Sequence, residues 1–346
     1  AYTNVLPGGT ALTKASAATL SSDYGFNVPS QPGITTPAML AAARRGEIDV
    51  LLAVGGNFRE VMPDPAASDD ALGNVPLRVH IDIVPSSQML TDPADTVLLL
   101  PTMTRYEIPG GVTETSTERR IIYNPEIPGP RIDAAMPEWT ILSELARRVR
   151  PDRAHAVAWH DTHAIRQEIA NVVPAYRGIE TLTKKGDQVQ YGGEHLCANG
   201  VFATSDGRAR FHPKALTAHT HEPGTLRIVT RRGKQFNSIV HDDVDSLNKL
   251  RRDAILVAAE DAAARGLRDG DAIEVVSDHG ILRGTLRVVD TSAGAVQVHW
   301  PEANVLLDPD HRGGASDIPA YKHGWATLRA AGRNPHPPSG QAAPRV

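Results

Sequence analysis

The sequence changes its pattern at Thr225, and that change decides what the chain can fold into. Before it, apolar runs alternate with helical segments. A helix fits Thr36 to Arg45, with Pro37 in its first turn and Gly46 just past its end. Asp49 to Val54 is a continuous apolar run, the kind buried on both faces of a parallel sheet. A helix around Ser68 to Leu72 leads to a second strand, Leu77 to Val84, and a third strand, Thr96 to Leu100, stops at Pro101. Pro137 to Val149 is a further helix, with Glu138 near its start and Arg147 and Arg148 near its end, as the helix dipole favours. This alternation predicts an α/β domain with a doubly wound parallel sheet. After Thr225 the runs are short and β-rich: Leu226 to Thr230, Ala272 to Ser277, Gly280 to Val289 and Ala295 to Trp300. One helix, Ala258 to Arg265, ends at Gly266. Such spacing, with Gly and Asp turns between runs, predicts a compact β-barrel.

The expected division is therefore an α/β domain over 1–150, an irregular linker over 151–224, a barrel over 225–330 and a polar tail over 331–346. The linker holds a partial helix and a short hairpin around Phe202 to Phe211. At 346 residues each domain is large enough for its own core. A net charge of −4 argues against a nucleic-acid-binding surface. No apolar run reaches the roughly 20 residues that span a bilayer. The single cysteine, Cys197, excludes an internal disulfide framework and a multi-cysteine zinc or iron–sulfur site in this chain. A reducing cytoplasm is the natural setting for such a composition.

The residues with most chemical content follow the first barrel strand. Thr230, Arg231, Arg232, Gly233, Lys234, Gln235, Phe236, Asn237 and Ser238 form one polar turn. Arg231, Arg232 and Lys234 suit phosphate, because guanidinium offers a planar fork of donors. Gln235, Asn237 and Ser238 suit the polar edges of a ring system. A solvated basic turn fits the same residues equally well. Gly55, Gly56 and Asn57 end the first apolar strand, at the sheet edge where α/β folds bind ligands. Glycines there let backbone N–H groups approach a phosphate, although an ordinary strand-to-loop turn has the same composition. Asp82, at the end of the next strand, suits sugar hydroxyls or guanine N–H groups, or a turn. His160 and His163 have helical spacing without a third metal ligand, and read as surface or structural histidines. Glu114 and Glu118 read as partners of nearby arginines on a helical face. No catalytic residue and no metal ligand is assigned.

In order along the chain, several stretches resemble the C-terminal half of the molybdopterin-dependent oxidoreductases, most closely their formate-dehydrogenase-like branch. They are Val54-Gly55-Gly56-Asn57-Phe58 with Met62-Pro63-Asp64-Pro65, and Ala94-Asp95 through Leu100-Pro101 with Thr115-Ser116-Thr117-Glu118-Arg119-Arg120. Arg232-Gly233-Lys234-Gln235-Phe236-Asn237-Ser238 follows, then Gly266 to Asp271 through Trp300-Pro301-Glu302-Ala303-Asn304. The resemblance implies that the last domain is a double-psi-type barrel and that the first is a partial doubly wound sheet. It implies a molybdopterin guanine dinucleotide carrying molybdenum or tungsten, with Asn304 against the pterin and Lys322 approaching the cofactor. A loop asparagine and a solvated lysine are the plain alternatives for those two. It implies formate oxidised to carbon dioxide as the family-level substrate. The family's N-terminal half carries the metal-ligating Cys or selenocysteine and, in many members, an iron–sulfur cluster. The expected partners are thus the missing N-terminal half of the same polypeptide and an electron-transfer subunit, and the chain alone is expected to be inactive. Two other readings share the fold: the large iron–sulfur subunit of a NADH–quinone oxidoreductase with a vestigial site, and a non-catalytic cofactor-binding module.

Overall fold

The computed structural model describes residues 5–215, 222–235, 242–314 and 317–332. Two compact units emerge, and each draws on separated parts of the sequence.

The first unit comprises Ala1–Thr35, Ile81–Ile83 and Leu100–Leu216. Its helices are α1 (Lys14–Tyr24), Glu138–Val149 and Thr162–Val172. Helix α1 starts because Thr13 and Ser16 cap each other's backbone, and it ends at Gly25 in a left-handed conformation. Asp161 starts Thr162–Val172 by accepting from the Ala164 N–H at 2.8 Å. An antiparallel sheet of Val112–Thr115, Arg120–Asn124 and Gln188–Gln190 packs Ile121 and Tyr123 against Ala170, Ile179 and Leu182. Glu114 therefore sits on a strand and Glu118 in the turn after it, not on a helical face. The expected hairpin around Phe202 to Phe211 is absent: residues 201–215 carry no strand. Phe211 is almost fully exposed, so nothing apolar organises that stretch.

The second unit comprises Thr36–His80, Val84–Leu99 and Thr217–Val346. Its α/β part has helices α2 (Thr36–Arg44) and α3 (Pro65–Gly73) with strands β1 (Val50–Val54), β2 (Leu77–Asp82) and β3 (Thr96–Pro101). The sheet order is β1-β2-β3, and the last residues of β2 and β3 are grouped with the other unit. Leu77 N donates to Asp49 O and Thr96 N to Pro76 O, so neighbouring strands start side by side, as parallel strands do. Asp64 and Pro65 start α3 in the usual way: the carboxylate accepts from Ala67 N at 2.9 Å. Leu40, Ala43, Leu51, Met62, Ala71, Leu72 and Val75 form the core beneath. β1 departs from the expectation of burial on both faces. It alternates, with Leu51 and Ala53 buried and Val50, Leu52 and Val54 exposed, because α2 and α3 pack on one side.

The barrel closes from six strands: β4 (Leu226–Arg231), β5 (Ala254–Val257), β6 (Ala272–Val276), β7 (Ile281–Val288), β8 (Ala295–His299) and β9 (Trp325–Ala330). Their order is β5-β7-β6-β9-β4-β8. Two pairs are parallel, β4 with β8 and β5 with β7, and antiparallel pairs join them into the double-psi arrangement. Strict alternation fixes the inward face of β4: Leu226, Ile228 and Thr230 are buried while Arg227, Val229 and Arg231 are half-exposed. Sixteen buried side chains, including Ile228, Ile255, Ile273, Leu286, Val296 and Val298, fill the interior. The tail beyond residue 332 lies outside the described residues.

Candidate functional site: a cationic barrel turn and the Gly55–Met62 loop

β4 and β8 run parallel and end together, with Arg231 opposite His299. Trp300 N then donates to Arg231 O at 2.7 Å, so the two outgoing turns lie side by side. Arg252 joins them. Its Nη1 donates to Arg232 O at 2.6 Å, its Nη2 to Trp300 O at 2.6 Å, and its Nε to Glu302 Oε1 at 2.8 Å. Asp245 supports the turn from below. It is buried and accepts from the N–H of Lys234 at 3.0 Å and of Leu247 at 2.9 Å. Those bonds, the Lys234 one first, hold its carboxyl below the usual carboxylate range. Gln235 is buried and donates to Leu250 O at 3.2 Å. Gly233 has φ +77, and a Cβ there would overlap Gln235 Oε1 and stand 3.3 Å from His299 Cδ2. Only glycine fits both demands. Burial pushes the His299 imidazole below its usual pKa, with the charges of Arg252 and Arg231 adding to the effect.

The second element is the loop after β1. Gly55 and Gly56 have φ +67 and +79, and open space lies where their Cβ atoms would stand. The loop is braced by Gln88, a buried side chain whose amide donates to Gly56 O at 2.7 Å and accepts from Phe58 N at 2.8 Å. Asn57 Nδ2 donates to Ser87 Oγ at 2.9 Å, and that hydroxyl donates to Glu60 Oε1 at 2.9 Å. Two barrel residues grip the far end. Asn304 Nδ2 donates to the carbonyls of Glu60, Met62 and Val61 at 2.8, 3.1 and 3.3 Å. Tyr321 donates to Val61 O at 2.8 Å, and burial pushes its phenol up to about 12. The Tyr321 ring meets Trp300 edge-on at 6.3 Å, and the Arg232 guanidinium lies 5.6 Å over the Trp300 ring. An unbroken contact path thus links the cationic turn to the glycine loop.

The structure brings Gly55, Gly56, Asn57, Thr230, Arg231, Arg232, Lys234, Gln235 and Asn304 into one unit. Thr230 faces the barrel interior, so its side chain is part of the core surface. Asn304 departs from a simple loop position: it is 3% exposed and its amide nitrogen is already engaged by protein carbonyls. Lys322 is exposed, and only its backbone carbonyl is bonded in the described contacts, to Arg227 Nε at 3.3 Å. Asp82 is grouped with the other unit, where burial first, and then the Asp82 charge, raise the pKa of Glu138. Phe236, Asn237 and Ser238 lie outside the described residues. Sequence reasoning missed Arg252, Asp245, Gln88 and His299. Arg252 sits in an Arg-Arg-Asp run that reads as solvated charge, and Gln88 carries no periodic signal at all.

The donors and acceptors at hand fit an anionic dinucleotide. Among the described residues, Arg231, Arg232 and Lys234 form no ion pair with a carboxylate. Three amide oxygens, of Asn57, Gln235 and Asn304, are buried with no donor among the described residues. Buried acceptors without donors are costly unless something else completes them, while the exposed Arg232 and Lys234 and the half-exposed Arg231 stand open to an anion.

Residues 226–325 match the model of the molydopterin dinucleotide binding domain. That stretch spans the barrel as far as the start of β9, and the chain as a whole is similar to oxidoreductases. An uncharacterized oxidoreductase of Mycobacterium bovis is 27% identical over 333 residues, covering 88% of this chain and 42% of the relative. A NADH-quinone oxidoreductase component of Rhizobium meliloti is 28% identical over 291 residues, covering 82% of this chain and 31% of that protein. The chain thus spans less than half the length of these curated relatives. Acetylene hydratase from Pelobacter acetylenicus shares the fold, with a TM-score of 0.59 and 16% identity over 92% of this chain and 51% of the hydratase. Among the described residues no helix is long and apolar enough to cross a membrane, and no cluster of three or more His, Cys, Asp or Glu could hold a metal.

Proposed function

We propose that this chain binds the guanine dinucleotide of a molybdenum or tungsten pterin cofactor in a formate-dehydrogenase-like enzyme. The observation that carries the reading is the set of buried amide acceptors on Asn57, Gln235 and Asn304 beside three cations that no carboxylate pairs among the described residues. Arg231, Arg232 and Lys234 would hold the phosphates, and the backbone of Gly55 and Gly56 would approach them closely. Asn57, Gln235 and Asn304 would accept from ring N–H groups. When bound, the metal group supplies two-electron transfer coupled to a proton or an oxygen atom. The chain's own residues bind it, orient it and exclude water. Asp82, Phe236, Asn237, Ser238 and Lys322 belong to the same proposed set. In this reading its partners are a segment that carries the metal ligand and any iron–sulfur cluster, and an electron-transfer subunit.

The similarity to the NADH-quinone oxidoreductase component supports a second reading, a retained fold whose site no longer binds. Titration with guanosine diphosphate separates the two. The binding reading expects saturable binding that Arg232→Ala weakens by about tenfold to a hundredfold, the equivalent of one charge-assisted contact of ~1.5–3 kcal/mol. No binding by the wild-type chain would favour the vestigial reading, and equal binding by Arg232→Ala would remove Arg232 from the site.

A further inference from the structure

The grip of Asn304 and Tyr321 on the loop after β1 has a chemical logic of its own. Phe58–Val61 is a single helical turn, and the carbonyls at its end have no partner within the turn. Helices of this size rarely hold their shape unaided. Here the free carbonyls of Glu60, Val61 and Met62 converge on one amide nitrogen, donated from 244 to 242 residues away. Three carbonyls around one atom also fix which end of the Asn304 amide is nitrogen, since a flipped amide would set oxygen against oxygen. Tyr321 adds a second donor to Val61 O. The same turn begins at Asn57, directly after Gly55 and Gly56.

We propose that Asn304 and Tyr321 are positioning residues for the dinucleotide loop, acting through the carbonyls of Glu60, Val61 and Met62. The barrel thereby sets the geometry of a loop that belongs to the α/β part. This inference rests on the binding function proposed above, and it goes further: it gives Asn304 a role at its nitrogen end that needs no ligand contact. Position 304 then tolerates only a side chain that donates. Aspartate is isosteric but brings an acceptor, so it would repel all three carbonyls. Alanine would take this donor from all three and leave only Val61 O with a partner among the described residues, the Tyr321 hydroxyl. Phenylalanine at 321 removes one bond and leaves the ring packing in place.

The test is amide hydrogen exchange across Gly55 to Met62, read beside guanosine diphosphate affinity and thermal melting, on the 346-residue chain. The amides of Phe58, Val61 and Met62 are hydrogen-bonded and report the loop directly. Tyr321→Phe is expected to speed their exchange about fivefold to tenfold, the loss of one net hydrogen bond. Asn304→Asp is expected to speed it further, with Ile273 to Val276 in the barrel unchanged, and to weaken diphosphate binding in proportion. Unchanged exchange at 55–62 in Tyr321→Phe and Asn304→Asp overturns the proposal. So does weakened binding without faster exchange, which would mean direct ligand contact. If the wild-type chain binds no diphosphate, the binding function fails, and the exchange arm still decides whether the barrel holds the loop.

Discussion

Arg252 holds the carbonyl oxygen of Arg232 at 2.6 Å, and this one contact sets where the cationic turn points. A single guanidinium reaches Arg232, Trp300 and Glu302 at once because its donors radiate in a plane. The arginine that organises the site is therefore not one of those predicted to touch a ligand. Its own charge is matched by Glu302, so it does not compete with Arg232 for an anion, while the Arg231 charge also acts on the Asp245 carboxylate.

Arg252→Lys keeps the charge but cannot make the three contacts together. It is expected to lower stability by about 1–3 kcal/mol, the range for lost hydrogen bonds to a charged group. Urea unfolding measures this, and amide exchange at Arg232 to Gln235 shows where the loss falls. A variant with wild-type stability and wild-type exchange would remove Arg252 from this role.

Gly233→Ala tests the turn from the other side. The new methyl group must take φ +77 and displace the Gln235 amide, which is buried. The expected cost is about 1–3 kcal/mol, as for strained left-handed positions. Gly55→Ala is the control, since its Cβ would enter open space and only the backbone strain remains. Equal melting temperatures for the two variants would show that Gln235 gives way freely.

Much of this architecture is legible in the sequence, because β4 and β8 alternate on a period of two and the α/β elements carry their caps. β5 was not legible. Ala254 to Val257 is four residues long and buried throughout, so it has no period to read. β9 was hidden differently, since Trp325–Ala330 ends in an exposed Arg-Ala pair and pairs across about 50 residues with β6. The hairpin at Val112–Asn124 was concealed by its charges, because Glu114 and Glu118 match helical spacing as well as they match a strand and turn. At the site, residue types announced the cations and the glycines. The supports at Gln88, Asp245 and Arg252 depend on contacts from distant chain segments, which local spacing does not encode.

The buried imidazole gives a pH dependence with a definite sign. His299 has a lowered pKa in the folded chain, so the unfolded chain binds its proton first. Its stabilising contribution is complete above the unfolded value of about 6.5 and is lost as pH falls from there through the folded value. Stability should decline by up to about 1.4 kcal/mol per pH unit within that window from this residue alone. His299→Gln should flatten the slope between neutral and mildly acidic pH in urea titrations. An unaltered slope would place the titration on other histidines.

Gln88→Met asks how far the glycine loop depends on its brace. Methionine has nearly the same length and fills the same volume, so packing is preserved while both hydrogen bonds vanish. Phe58 N–H and Gly56 C=O then lose partners at 2.8 and 2.7 Å. Gly56 is exposed and Phe58 half-exposed, so water can replace part of what is lost, and the expected destabilisation is that of two net hydrogen bonds, roughly 1–3 kcal/mol. Exchange at Phe58 N–H should rise more than at any amide in β6, because the loss is local. Diphosphate affinity should fall with it, since Gly55 and Gly56 would no longer be held in one conformation. A variant that melts like the wild type while Phe58 stays protected would mean that α3 and the Asn304 contact suffice to fix the loop, and that Gln88 only fills space.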